Sequence, residues 1–302
     1  MISGYISESK ERSPLTKIGD TGILIHEKAE FMNSLPLAYF THLEDNSGFM
    51  AAGIGDAPKI CSREWEAEKY KYFEASRPGI ISYSRDGSRW EKVGGLKHAE
   101  GAFSGLFLCT RKGTLIYIYS DFSEAVFNWD KNKHDALDAA LPVYESRSTD
   151  KAKTWEPVKK LHDHYTGECM DIIQTKTGRV VFTTMKLLNG PGRHSVMTYG
   201  SDDEGQTWQA SNIIDLGGVG NHGGISEASM VELNDGRLLK YIRTNWGQFW
   251  IAISEDEGRY WHPYGPSGVD ASSAPGALKR LSSGETRSNQ EVYKLMSVFT
   301  YY

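Results

Sequence analysis

Ser201-Asp-Asp203-Glu-Gly205-Gln-Thr207-Trp208 occurs in four versions along the chain, and that repetition decides the fold. The other three are Ser84-Arg-Asp86-Gly87-Ser-Arg-Trp90, Ser148-Thr-Asp150-Lys-Ala152-Lys-Thr154-Trp155 and Ser254-Glu-Asp256-Glu-Gly258-Arg-Tyr260-Trp261. Each residue type has a local job. The Asp carboxylate accepts hydrogen bonds from main-chain N–H groups across a tight turn. The Gly takes a conformation that a Cβ hinders. The Trp packs back between neighbouring sheets. The four tryptophans stand 65, 53 and 53 residues apart, a spacing that suits one four-stranded propeller blade per repeat.

A second repeat interleaves with the first. Leu106–Tyr119 turns at Gly113, Met170–Thr184 turns at Gly178, and Met230–Arg243 turns at Gly236. Each is strand, Gly turn, strand, which is the pattern of a β-hairpin. Each is followed by another strand and then by the Asp-containing turn, so two hairpins make a blade. A fourth copy begins at Gly276-Ala-Leu278 and gives way to a polar, patternless tail over 285–302. Residues 1–50 carry apolar runs at Thr21–His26 and Leu35–Phe40, and Ser62–Ser76 reads as a short charged surface helix. One all-β domain over 1–302 is expected, with its clear blades at about 77–284.

Composition agrees. Of 302 residues, 31 are Gly and 12% are aromatic, which favours short strands and tight turns over helices. The net charge of −5 comes without any Lys/Arg block, so no nucleic-acid partner is expected. No stretch reaches the ~18 apolar residues of a membrane span. The N-terminal dozen residues lack the apolar run of a signal peptide, so the chain as given reads as cytoplasmic, or as secreted or periplasmic if its start is truncated. Cys61, Cys109 and Cys169 are too few and too far apart for a disulfide framework or a zinc signature, and read as buried free thiols. No phosphate-binding loop, dinucleotide motif or metal motif occurs, so neither cofactor nor metal is expected.

The four turns are similar to the Asp box, or BNR repeat, and with the hairpin Glu227–Arg243 the chain resembles the sialidase (neuraminidase) superfamily. The resemblance implies a six-bladed propeller of four-stranded antiparallel blades, incomplete here at the C-terminus. It also implies an exo-α-sialidase-like glycosidase acting on a terminal anionic sugar, sialic acid or similar, with a carbohydrate as partner. Sialidases use a tyrosine nucleophile and stand outside the usual two-carboxylate scheme. By resemblance, Glu227 is the Glu that activates that tyrosine. Arg243 is one of three arginines holding the sugar carboxylate, for which a guanidinium fork is suited. Glu227 starts an inner strand and Arg243 ends the next, so the hairpin should bring them together.

The rest of the family set does not map. The Arg-Ile-Pro motif is absent, with Arg77-Pro78 its nearest approach. Arg280 and Arg287 fall too early for the third arginine. Tyr293, Tyr301 and Tyr302 lie in the patternless tail, and Asp56 is an acid/base candidate from chain order alone.

The residues suggest further candidates. His222, in the Gly-rich approach Asn221–Glu227, has the titration range of an acid/base, and would serve a uronic-acid glycan lyase or glycosidase. Glu168 holds Glu227's position one blade earlier and is taken as substrate-binding. Arg193 suits a carboxylate, Trp246 a sugar-stacking platform, and Ser273 a pocket lining. A non-catalytic or degenerate sugar-binding propeller is the alternative function.

Overall fold

The computed structural model describes residues 38–53, 80–86, 91–95, 102–121, 124–270 and 275–278. They form four antiparallel four-stranded sheets and one small hairpin, with no α-helix among the described residues. The first sheet is β1 (Ala38–His42), β2 (Phe49–Gly53), β3 (Ile80–Ser84) and β4 (Glu91–Gly95), in that order. The second is built from β5 (Ala102–Cys109), β6 (Leu115–Asp121), β9 (Val143–Ser148) and β10 (Lys159–His162). The inserted hairpin β7 (Val126–Asp130) and β8 (Asp135–Ala140) stands between β6 and β9. The third sheet is β11 (Cys169–Gln174), β12 (Val180–Leu188), β13 (Arg193–Ser201) and β14 (Gln209–Ala210). The fourth is β15 (Ile225–Glu232), β16 (Leu238–Thr244), β17 (Gln248–Ser254) and β18 (His262–Asp270).

The first strands of successive sheets are neighbours: β1 lies against β5, β5 against β11, and β11 against β15. This is the radial arrangement of propeller blades, four of them among the described residues. Alternation along each second strand serves two interfaces at once. On β6, Leu115, Tyr117 and Tyr119 pack toward the first sheet with Met50 and Ile81. Ile116 and Ile118 pack toward the third with Val180 and Phe182. All seven β6 residues are therefore buried, which explains a strand apolar on both faces. Val181 and Val196 pack in turn on Ile225, Met230, Ile242 and Trp261 of the fourth sheet. Inner strands are also pinned directly, since Asp171 accepts from Ser229 Oγ (2.6 Å) and Met230 N (3.0 Å). The Leu278 N–H reaches Ser229 Oγ at 2.9 Å, which sets a further inner segment against β15.

Three Asp-containing turns share one hydrogen-bond pattern. In the second, Ser201 Oγ donates to Asp203 Oδ1 (2.8 Å) and accepts from Gly205 N (2.8 Å), while Thr207 N donates to Asp203 Oδ1 (2.8 Å). Asp150 and Asp256 repeat this with Ser148 and Ser254. Positions four and five of each turn have positive φ: Lys151 and Ala152, Glu204 and Gly205, Glu257 and Gly258.

The turns also do more than their local pattern suggests. In each, the fourth residue grips the first hairpin turn of the preceding blade. Lys151 binds Asp45 (2.6 Å), Glu204 accepts from Thr110, and Glu257 accepts from Thr175 (3.0 Å) and Thr177. The Trp indoles reach back in the same direction. Trp208 Nε1 donates to Glu145 (2.9 Å) and Trp261 Nε1 to Thr198 (2.9 Å). Glu145 and Thr198 each lie three residues before the Ser of their own turn. That position in the first blade is Ile81, an apolar residue, and the buried Trp155 Nε1 finds no acceptor.

The described structure departs from expectation in the first blade. The described part of the first sheet starts at Ala38 rather than near 77, because β1 and β2 form an inner hairpin whose turn uses Asn46 at φ 56° in place of the Gly that marks the other inner hairpins. The hairpin β7–β8 was not foreseen, although the 65-residue step from Trp90 to Trp155 is 12 residues longer than the other two. The helix expected at Ser62–Ser76 and the tail 285–302 lie outside the described residues.

Candidate functional site

In every blade the first strand starts where the second ends, and that end lies opposite the Asp-containing turns. The candidate residues gather there. Glu168 immediately precedes β11, Glu227 is the third residue of β15, and Arg243 is the last but one of β16. The β15–β16 register pairs Ile225 with Thr244 and Ala228 with Ile242. Two residues, Ser226 and Glu227, therefore oppose Arg243 alone, and this bulge aims the Glu at the Arg. Arg243 Nη1 donates to Glu227 Oε1 at 2.7 Å, in an ion pair whose side chains are 22% and 13% exposed. The other carboxylate oxygen, Glu227 Oε2, is buried without a hydrogen-bond partner.

Glu168 completes the group. Burial pushes its carboxyl up to about 7, with the Glu227 charge adding to the rise and Arg243 opposing it. Near neutrality Glu168 thus holds a proton that an exposed Glu has lost. One protonated carboxyl beside an arginine–carboxylate pair can deliver a proton and hold an anion at one end of the molecule.

His194 belongs to the same neighbourhood. It is 6% exposed, and Nε2 lies 2.7 Å from the carbonyl of Asn221, so Nε2 carries the proton. Its main-chain N–H donates to Gly223 O at 2.8 Å. Burial lowers its pKa, and the charges of Glu227 and Arg243 both act on it. The loop it grips is tight: Gly224 has φ +86°, and a Cβ there would lie 2.3 Å from His194 O.

The remaining candidates divide. His222 is exposed on the Gly-rich loop, its ring 6.4 Å from that of His194, and its carbonyl accepts from Asn245 Nδ2 at 2.5 Å. Trp246 is 45% exposed on the β16–β17 turn at the same end, edge-to-face with Trp250 at 5.9 Å. Arg193 is not brought to the cluster. It is held by Asp215 through Nε (3.0 and 3.1 Å) and Nη2 (2.5 Å), and by Pro191 O through Nη1 (2.8 Å). Arg193 and His194 are successive on β13, so they face opposite ways. His194 shares parity with Val196 and Thr198, which face the fourth sheet. That parity was the available signal for His194.

Ser273, Asp56, Arg77, Arg280, Arg287, Tyr293, Tyr301, Tyr302 and Cys61 lie outside the described residues. Burial pushes the Cys109 and Cys169 thiols up to about 12, far from the range of a nucleophilic thiolate. Among the described residues no His, Cys, Asp and Glu group is arranged to hold a metal.

Known proteins agree with this architecture. The family profile described as BNR repeat-like domain matches residues 103–288. A sialidase of Micromonospora viridifaciens is 34% identical over 86 residues, 28% of this chain and 12% of that protein. The match thus spans about an eighth of the length of that relative. A Hadza microbial sialidase superposes with a TM-score of 0.56 at 14% identity, covering 80% of this chain and 49% of its own. A Penicillium chrysogenum α-L-arabinanase complexed with arabinobiose gives 0.53 at 12% identity, covering 82% and 71%. Radial four-stranded antiparallel blades with repeated Asp-containing turns thus define a protein of the sialidase-superfamily fold. Within it, the chain belongs to the BNR repeat-like domain family.

Proposed function

We propose that this protein is a glycoside hydrolase that removes a terminal anionic sugar, sialic acid or a similar acid, from a glycan, on a six-bladed ring. The observation that carries the proposal is the half-buried Glu168 carboxyl beside the Glu227–Arg243 pair. The arginine offers guanidinium nitrogens for the sugar carboxylate. Glu168 gives its proton to the glycosidic oxygen as the bond to the sugar breaks, so the leaving alcohol departs neutral; a water then forms the new bond at the anomeric carbon and returns its proton to the Glu168 carboxylate. Glu227 holds Arg243 in place through Nη1. The carbohydrate-processing neighbours support a carbohydrate substrate, with the fold as their common ground.

The test is release of free sugar from a sialylated oligosaccharide by the purified chain and by Glu168→Gln, Glu227→Gln and Arg243→Ala. Losses of about 100-fold or more are expected in each, with thermal unfolding little changed. Full activity in both Glu227→Gln and Arg243→Ala sinks the proposal. The exposed His222 ring near His194 favours a second reading, a lyase of uronic-acid glycans. Its product is an unsaturated uronate absorbing in the ultraviolet, and the same product scan detects it. Glycan binding without any product marks a sugar-binding propeller.

A further inference from the structure

Hairpin β7–β8 leaves its sheet at the end that carries Glu168, Glu227 and Arg243. Its two ends meet, since Asp121 N donates to Pro142 O at 3.1 Å, so it is an excursion from a sheet that is already closed. It is docked on the next blade. Gly192 N donates to His134 O (2.8 Å), Gly190 N to Asp135 Oδ2 (3.0 Å), and the Trp129 ring fills the space where a Cβ of Gly192 would stand, 2.3 Å away. The gripped segment passes the contact on, because Gly220 N donates to Gly192 O at 2.8 Å and the next residues lead to His194.

Aromatic rings follow the same route. Trp129 stacks on Phe127 (6.0 Å, 7°), Phe127 meets Tyr165 (5.0 Å), Tyr165 approaches His194 (6.3 Å), and His194 approaches His222 (6.4 Å). Phe127, Trp129 and Tyr165 are half-buried, so each keeps part of its surface in solvent. The centre of the site is charged, whereas Phe127, Trp129 and Tyr165 add uncharged ring surface to this flank, beside Asp135 and the Arg193–Asp215 pair.

We propose that hairpin β7–β8, with the 189–194 segment it grips, walls a second sugar subsite that takes the neutral residue next to the terminal anionic sugar. Ring surface of this kind suits the apolar face of a neutral pyranose, while the carboxylate of the terminal sugar belongs at Arg243. The inference rests on the glycosidase reading and adds the leaving-group side of the substrate to it.

The test compares the full chain with two variants: one in which Val126–Ala140 is replaced by a short Gly-Asn-Gly turn, and Phe127→Ala, which carries the test if the excised chain fails to fold. Calorimetric binding and turnover are measured with sialic acid, an aryl sialoside and a sialylated trisaccharide. Both variants should lose about tenfold in kcat/KM on the trisaccharide relative to the aryl sialoside, and the trisaccharide should lose its affinity advantage over sialic acid. Parallel changes on the two substrates, or none, overturn the subsite and leave the glycosidase standing. If the full chain neither binds nor cleaves any of the three, the glycosidase reading falls and takes the subsite with it.

Discussion

Glu145 offers the sharpest test of the inter-blade architecture. The side chain is 1% exposed between the second and third blades. One oxygen accepts from Trp208 Nε1 at 2.9 Å, and the other has no hydrogen-bond partner. Burial pushes the carboxyl up from 4.5 to about 7, against the Trp208 bond and the charges of Lys159 and Arg147. The folded protein therefore holds this proton more tightly than the unfolded chain. Stability linked to Glu145 is fully present below the unfolded value of 4.5 and is lost as pH rises through about 7. At 1.36 kcal/mol per pKa unit the loss is about 2–4 kcal/mol. Glu145→Gln keeps an acceptor for Trp208 and cannot ionise. It should match the parent near pH 4.5 and exceed it by about 2–4 kcal/mol at pH 8. The assay is urea unfolding of both proteins across that range, read as the difference between them. A difference that stays flat with pH refutes the argument. The repeat supplies a precedent, since the corresponding position one blade later is the neutral Thr198.

Further expectations follow from other residues. Lys240 is fully buried, its Nζ without a hydrogen-bond partner and 3.9 Å from the Trp261 ring centre, and burial drives its pKa well down. Lys240→Met should stabilise the fold by about 1–3 kcal/mol at neutral pH, checked by urea unfolding; a destabilised variant contradicts this. Gly205 has φ +83°, and a Cβ there would lie 3.0 Å from Glu145 Oε1 and 3.1 Å from Ile116 Cδ1. Gly205→Ala should therefore lower the thermal midpoint, at a cost of about 1–3 kcal/mol. If Glu168 supplies the proton, turnover should decline as pH rises through about 7, and Glu168→Gln should remove that limb from the profile. An unchanged limb in the variant would assign it to another group.

What was legible in the sequence was local. The Asp-containing turns close within eight residues, so their chemistry could be read where it stands. Glu227 and Arg243 could be paired because a hairpin brings its ends together, although the bulge that aims Glu227 left no sequence signal. Glu168 followed from blade equivalence. What escaped depended on parity or on distant partners. Arg193 has the chemistry of an anion-binding residue, but Asp215, which holds it, comes 22 residues later, and His194 next to it takes the inward face. The first blade escaped because a long segment separates its two hairpins. The inserted hairpin announced itself only as a longer interval between tryptophans.

The backward grip of the Asp-containing turns gives the row of four described blades a polarity. Lys151 closes on Asp45, Glu204 on Thr110, and Glu257 on Thr175 and Thr177. The second, third and fourth blades each carry a latch, and the blade before carries the catch. A chain emerging from the ribosome can thus secure these blades one at a time, since none of the three described latches waits for sequence still to be synthesised. This order predicts that chains stalled after successive turns gain protease protection blade by blade from the N-terminal side. Protection appearing at once, only with the full chain, would show that the latches act after assembly rather than during it.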